Sequence, residues 1–161
     1  MVLSSLFAAL TAICAWIAVP LPPISFTMQT FAVLLTLGVL GGRWGTVSIL
    51  LYLLLGVVGL PVFTGFRGGI SALLDPTGGF LWGFLLSGLA YWLTEKLGRL
   101  PAMVCAMAVC YLCGSWWFSV YAGTDLWTAA MACVLPWLAP DAVKLALAHT
   151  MAKRIGRNAR I

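Results

Sequence analysis

Asp141 and Lys144 are the two residues whose types and spacing point most directly to chemistry. They lie three positions apart in an apolar stretch, so a helix would place them on one face. Counted back from the basic pair Lys153–Arg154, Lys144 lies about 15 Å and Asp141 about 19 Å along that helix. At such a depth in a bilayer a charge costs at least ~2.5 kcal/mol, so it faces a bundle interior or a wet cavity. The pair predicts a polar ligand site; the alternative is an ion pair that only orients the helix.

Two prolines and one arginine add to this prediction. Pro136 and Pro140 remove backbone donors just before Asp141, and membrane helices tolerate such breaks where they line a cavity. An ordinary proline kink is the alternative, and Pro140 can also begin a new helix with Asp141 in its first turn. Arg67 lies among the glycines of Gly65–Gly69 and suits a carboxylate or phosphate, unless it is a solvated loop charge.

The composition predicts that membrane helices position these residues. Of 161 residues, 63% are hydrophobic and 8% are charged, whereas a soluble domain carries about 25% charged residues. The first charge is Arg43. This excludes a soluble enzyme, a disordered chain and a disulfide scaffold, and predicts an all-α polytopic membrane protein with one domain over residues 1–161. The net charge is +5, but the basic residues lie at the ends of apolar runs, so nucleic acid is not an expected partner.

Segments rich in proline, glycine and polar residues divide the chain into six apolar runs, which predict six transmembrane helices. The runs are Val2–Val19, Thr27–Leu40, Trp44–Leu60, Gly78–Leu97, Ala102–Tyr121 and Leu126–Met151. The second covers only about 20 Å as a helix, less than a hydrocarbon core of ~30 Å.

The basic residues give this bundle an orientation. One side holds Arg43, Lys96, Arg99, Lys153, Arg154, Arg157 and Arg160. The loops of the other side hold only Arg67. The positive-inside rule therefore predicts that both termini are cytoplasmic.

Small residues and absent motifs limit what the chain does by itself. Ser4, Ala8 and Ala12 recur every four residues, which permits close helix packing within the bundle or against a partner subunit.

The sequence has no G-x-x-x-x-G-K-[ST] phosphate loop, so it is not itself an ATPase. With one histidine and four acidic residues, it predicts no metal site, no cofactor and no enzyme activity.

Several segments, taken in order, resemble the BioY family of biotin-binding S components of energy-coupling-factor (ECF) transporters. They are Leu6–Ala12, Pro20–Pro23, Phe26–Phe31, Leu51–Gly56, Gly59–Phe63, Gly65–Gly69, Pro76–Gly79 and Leu135–Lys144. Residues 84–134 resemble the family in little beyond hydrophobicity. The resemblance implies six helices in a prokaryotic plasma membrane, with biotin bound from the outer side. It also implies a transmembrane coupling subunit, docked at Ala8 and Ala12, and two cytoplasmic ATPase subunits.

The same resemblance assigns residues to the ligand. It maps the family's Asp-x-x-Lys onto Asp141 and Lys144, and its loop arginine onto Arg67. We expect Asp141 to accept a ureido N–H of biotin, Lys144 to bond the ureido carbonyl or the carboxylate, and Arg67 to hold the carboxylate, unless the last two exchange roles. Further hydrogen bonds and ring packing are expected from Gln29, Thr27, Tyr52, Phe26 and Phe63.

Two other classes of function remain open at this point. A solitary ion- or proton-coupled transporter of another small carboxylate would use Asp141 and Lys144 as a proton-linked site. A purely structural membrane subunit would bind no small molecule.

Overall fold

Helices account for most of residues 2–20 and 24–159, the part of the chain that this computed structural model describes. They are α1 (Val2–Trp16), α2 (Gln29–Val57), α3 (Ser71–Leu74), α4 (Gly78–Thr94), α5 (Arg99–Ala122), α6 (Leu126–Cys133) and α7 (Leu138–Ala159). Two short strands, β1 (Ala18–Val19) and β2 (Phe26–Thr27), pair antiparallel between α1 and α2. The predicted mostly helical fold is confirmed, with this small ribbon as an addition. Residues 21–23 of the predicted outer loop and Arg160 of the basic tail lie outside the described residues.

Helix α2 is folded back on itself at Gly41. The backbone there has φ 76° and ψ 175°, a combination that favours glycine because it has no Cβ. Gln29 Nε2 donates to the Tyr52 hydroxyl at 2.7 Å, although 23 residues of straight helix would separate them by about 34 Å. Residues 29–40 and 42–57 are therefore two antiparallel arms, here called the first and second arms of α2. They match the second and third predicted runs.

The carboxylate of Glu95, the residue that follows α4, caps the second arm. Gly42 N donates to Glu95 Oε2 at 2.8 Å, which satisfies one of the backbone donors that a helix start leaves without a partner. A Cβ on Gly42 would overlap Trp92, so glycine at this position allows α4 to approach closely. The cap and the glycine together hold the turn of α2 against the end of α4.

Removing this cap gives a first testable prediction. Glu95→Ala should destabilise the fold by about 1 kcal/mol, the usual loss for a helix cap. That corresponds to an unfolding midpoint about 2–4 °C lower in a chain of this size. Thermal unfolding of the detergent-purified protein measures it, with exposed Lys96→Ala as the matched control. Equal midpoints for the two variants would contradict the capping role.

Three helical segments are long and apolar enough, by length and composition, to cross a membrane. Among the described residues these are Gln29–Val57, Arg99–Ala122 and Leu126–Gly156, and Val2–Trp16 is a shorter apolar helix. The six predicted runs therefore correspond only in part to separate long helices. The second and third runs fold as the two arms of α2, each too short on its own for a ~30 Å core without flanking residues.

The last predicted run is broken rather than continuous. α6 ends at Cys133, a 3₁₀ turn covers Leu135–Trp137, and α7 begins at Leu138. Proline lacks an N–H, so Pro136 cannot continue the α-helical ladder, whereas Pro140 is tolerated in the first turn of α7. A new helix does place Asp141 in its first turn, as predicted, although it begins at Leu138 and not at Pro140.

Candidate functional site

A cavity lies where β2, the first arm of α2, the α2–α4 connection (residues 58–77), α5 and α7 meet. It encloses about 830 Å³ of empty space, its open mouth included. Seven of the eight predicted ligand-binding residues line it: Phe26, Thr27, Gln29, Phe63, Arg67, Asp141 and Lys144. The structure thus brings together residues that are up to 118 positions apart in the sequence, as Phe26 and Lys144 are.

Asp141 and Lys144, both buried, form an ion pair in the wall of this cavity. Lys144 Nζ donates to Asp141 Oδ1 at 2.7 Å and to the Thr27 carbonyl oxygen at 2.6 Å. The ammonium also lies 3.7 Å from the centroid of the Phe26 ring, a cation–π contact. Lys144 therefore links β2 to α7 and neutralises the charge of Asp141. The position of the ion pair is set by this strand and this helix together.

A chain of polar side chains supports the floor of the cavity. The Tyr52 hydroxyl accepts from Gln29 Nε2 and donates to the Val62 carbonyl oxygen at 3.1 Å. Thr64 Oγ1 donates to Gln29 Oε1 at 3.4 Å. Tyr52 is the one predicted ligand-binding residue that does not line the cavity. It is fully buried behind Gln29, so it orients the Gln29 amide while the amide itself borders the cavity.

Arg67 is the charged residue at the exposed edge of the cavity. Its Nε donates to the Thr64 carbonyl oxygen at 3.3 Å, and its Nη1 forms an ion pair with Asp75. Nearly half of its side-chain surface remains exposed. Because a guanidinium has five N–H donors, these contacts orient the group and leave donors for a ligand.

Packing against α1 and α2 holds the α2–α4 connection in place. Phe63 is buried, with its ring edge-on to Tyr52, and a Cβ on Gly56 would overlap that ring. Phe66 has a left-handed φ of 57° and stacks on Trp16, with ring centroids 5.1 Å apart. Contacts of the two phenylalanines that precede Arg67 therefore help to determine where the arginine lies.

The two predicted docking residues, Ala8 and Ala12, lie away from the cavity. Both are buried, at 2% and 7% exposure, so they pack first against helices of the same chain. Ala8 also borders a second, apolar groove between α1 and the second arm of α2, together with Leu51 and Leu54. Docking of a partner at these alanines stays a prediction.

Sequence comparison agrees with this arrangement. The family profile described as "BioY family" matches residues 1–160. The chain belongs to the BioY family. The family assignment made from its motifs is therefore confirmed, and residues 84–134, which resembled the family least, fall within the match.

Similar proteins extend the comparison. The chain is 39% identical to a probable biotin transporter BioY of Pyrococcus horikoshii, over 97% of this chain and 95% of the relative. It is 36% identical to the biotin transporter BioY of Thermotoga maritima, over 94% of this chain and 92% of that relative. The crystal structure of an S component for biotin from an ECF-type ABC transporter superposes with a TM-score of 0.88. That match has 24% identity and covers 96% of this chain and 88% of the other, so it shows a shared fold.

Tyr111 and Trp137 are among the lining residues of this BioY-family site that sequence reasoning missed. The Tyr111 hydroxyl donates to Asp141 Oδ2 at 2.6 Å, and the Trp137 ring packs on Phe26 at 5.5 Å between centroids. Both line the cavity. The signal for Tyr111 was its depth: twelve residues separate it from Arg99, as twelve separate Asp141 from Lys153, about 18 Å in each helix.

Proposed function

We propose that this chain captures biotin as the membrane-embedded specificity subunit of an ECF-type transporter. The observation that carries the proposal is the buried Asp141–Lys144 pair in the wall of a mostly apolar cavity. A ligand pocket is typically apolar with a few converging polar groups. Biotin combines a polar ureido ring with an apolar thiophane ring and a carboxylate tail, which fits such a pocket. Relatives of the same length carry the name biotin transporter.

The polar pair suits the ureido ring. Asp141 accepts an N–H of the ring, and Lys144 donates to its carbonyl oxygen. The two side chains are 2.7 Å apart, so they can contact the same end of one ligand. This argues for the ureido ring, which offers donors and an acceptor side by side. Phe26 and Phe63 supply apolar surface for the thiophane ring, and Gln29 and Thr27 border the remaining polar edge.

Arg67 then holds the carboxylate at the mouth of the cavity, and Lys144 does not exchange roles with it. Lys144 is buried and already bonded to Thr27 and Asp141, while Arg67 is exposed and keeps free donors. A charged tail is better placed where water still reaches it, because burying a carboxylate costs several kcal/mol.

This role makes a prediction about ligand charge. Arg67→Gln should weaken binding of biotin about tenfold, the low end for a charge-assisted bond at an exposed site. Binding of the neutral biotin amide should change less than twofold. Equilibrium binding to the purified variants measures both, and exposed Arg43→Gln, next to Gly42 in the turn of α2, is the control. Equal losses for the acid and the amide would assign Arg67 a purely structural role.

The chain crosses the membrane six times, with both termini in the cytoplasm and the cavity opening to the outside. The six crossings are α1, the two arms of α2, α4, α5 and the broken unit of α6 and α7. The asymmetry of the basic residues supports the orientation, since Arg67 stands alone on the side of the cavity mouth. The membrane is the plasma membrane of a prokaryotic cell.

Energy for uptake comes from partners: a transmembrane coupling subunit and two cytoplasmic ATPase subunits. The absence of a phosphate loop from the sequence supports this division of work. The coupling subunit docks at Ala8 and Ala12 on α1, where the apolar groove beside Ala8 accepts an apolar helix.

Uptake in cells tests the proposed function. A bacterium that requires biotin and has no carrier of its own is given this chain, with or without ECF coupling and ATPase subunits. We expect accumulation of labelled biotin that depends on active ATPase subunits. Uptake by the chain alone that collapses with an uncoupler would instead favour a solitary proton-coupled carrier.

A further inference from the structure

The Asp141 carboxylate is held by two donors, one on each oxygen. Lys144 Nζ donates to Oδ1 at 2.7 Å, and the Tyr111 hydroxyl donates to Oδ2 at 2.6 Å. Lys144 belongs to the same helix as Asp141, whereas Tyr111 belongs to α5. The Tyr111 bond is therefore the contact that fixes the carboxylate from outside its own helix.

The position of Tyr111 explains why this bond forms. α5 and α7 come close at their basic ends, where a Cβ added to Gly156 would lie 3.4 Å from Arg99 Nη2. Tyr111 lies about 18 Å along α5 from Arg99, and Asp141 lies about 22 Å along α7 from Gly156. The two residues are therefore at a similar depth. A hydroxyl buried among apolar groups without a partner costs about 1–3 kcal/mol, and Asp141 supplies the acceptor.

The bond has a consequence for ligand recognition. The terminal torsion of an aspartate is broad, so Lys144 alone would allow the carboxylate plane to turn. With Tyr111 on the second oxygen the plane is fixed. A carboxylate has about four acceptor sites, and two of them remain for a ligand that enters the cavity. Groups fixed before binding lose less entropy when the ligand arrives.

We propose that Tyr111 is a positioning residue that orients the Asp141 carboxylate to receive an N–H donor of a cyclic urea. This inference rests on the proposed function, because the urea is the polar end of biotin. Tyr111 acts through Asp141, so its contribution to affinity should exist only while Asp141 is a carboxylate. A residue that only packed α5 against α7 through contacts other than Asp141 would affect binding in the same way whatever stood at position 141.

A double-mutant cycle tests this dependence. Biotin affinity is measured by equilibrium binding to the detergent-purified wild type, Tyr111→Phe, Asp141→Asn and the double variant. Tyr111→Phe should weaken binding about tenfold in the wild-type background, as expected for a lost bond to a charged group. In the Asp141→Asn background it should weaken binding less than twofold. Tyr121→Phe, at an exposed site on the same helix, is the control and should bind like wild type.

The outcomes separate the inference from the proposed function. Saturable wild-type binding with no loss in Tyr111→Phe, or with equal losses in both backgrounds, overturns the role of Tyr111 alone. A folded wild type that does not bind biotin overturns the proposed function and this inference with it. If Tyr111→Phe does not fold, Tyr111→His replaces it in the cycle, because an imidazole N–H can still donate to Asp141. It should then show a smaller loss that also depends on Asp141, and a loss independent of Asp141 contradicts the proposal.

Discussion

Lys144→Met and Asp141→Asn should each weaken biotin binding at least tenfold. Asp141→Asn removes the charged acceptor that Lys144 and Tyr111 hold in place, so the ureido N–H loses its ionic partner. Lys144→Met removes the donor to the ureido carbonyl and also leaves the Asp141 charge buried without its counter-ion. An unpaired buried partner costs about 1–3 kcal/mol, more when it is charged.

The two variants should differ in stability, which gives a second readout. Breaking a buried ion pair from one side costs about 3–5 kcal/mol, and Lys144→Met also releases the Thr27 carbonyl oxygen. In Asp141→Asn the Lys144 ammonium still has that carbonyl oxygen and an amide oxygen as acceptors. This variant should therefore lose less stability than Lys144→Met. The double variant should be more stable than Lys144→Met alone, because no charge stays unpaired.

Equilibrium binding and thermal unfolding of the purified variants check these expectations. Lys153→Met removes an exposed lysine nine residues further along α7 and is the matched control. Unchanged biotin affinity in both Asp141→Asn and Lys144→Met would remove the pair from the ligand site. Asp141 and Lys144 would then form an ion pair that only orients α7.

Ala8→Trp should reduce biotin uptake to background while biotin binding to the purified chain persists. Ala8 borders the apolar groove between α1 and the second arm of α2. An indole there fills the space that a helix of the coupling subunit needs. The cavity that contains Asp141 lies on other elements, so ligand binding does not depend on this groove.

Ala9→Trp is the matched control for this variant, because Ala9 is the exposed neighbour on the same helix. It should leave uptake and complex formation intact. Copurification with the coupling and ATPase subunits shows whether the loss of uptake follows from lost assembly. Ala8→Trp with normal uptake and assembly would contradict docking at this position, and joint loss of binding and uptake would indicate that Ala8 matters for packing within the chain.

Much of the site could be predicted from the sequence because charges are rare in this chain. Asp141 and Lys144 stand out at bilayer depth, where a charge is costly, and Arg67 is the one basic residue of its loop. The cavity brings these three together with Phe26 and Phe63. Their roles toward a ligand stay predictions, whereas the family assignment is confirmed.

The parts that could not be predicted depend on contacts between distant segments. Tyr111 lies in a stretch with no period or motif to distinguish it. Its depth alone does not identify a partner, and only the packing of α5 against α7 places it at Asp141. The capping of Gly42 by Glu95 likewise joins separate elements, and the pairing of Arg67 with Asp75 depends on how the α2–α4 connection folds. The glycine pair at residues 41 and 42 predicted a break between two runs. The sharp reversal of α2 at Gly41 could not be predicted, because it depends on the backbone angles of that glycine.

The most direct test of the account is equilibrium binding of labelled biotin to the detergent-purified chain. Unlabelled biotin, the biotin amide and an unrelated vitamin serve as competitors. We predict saturable binding at about one biotin per chain, displaced by biotin, more weakly by the amide, and not by the other vitamin. A folded, monodisperse sample that binds no biotin would contradict the assignment of Asp141 and Lys144 to a biotin site.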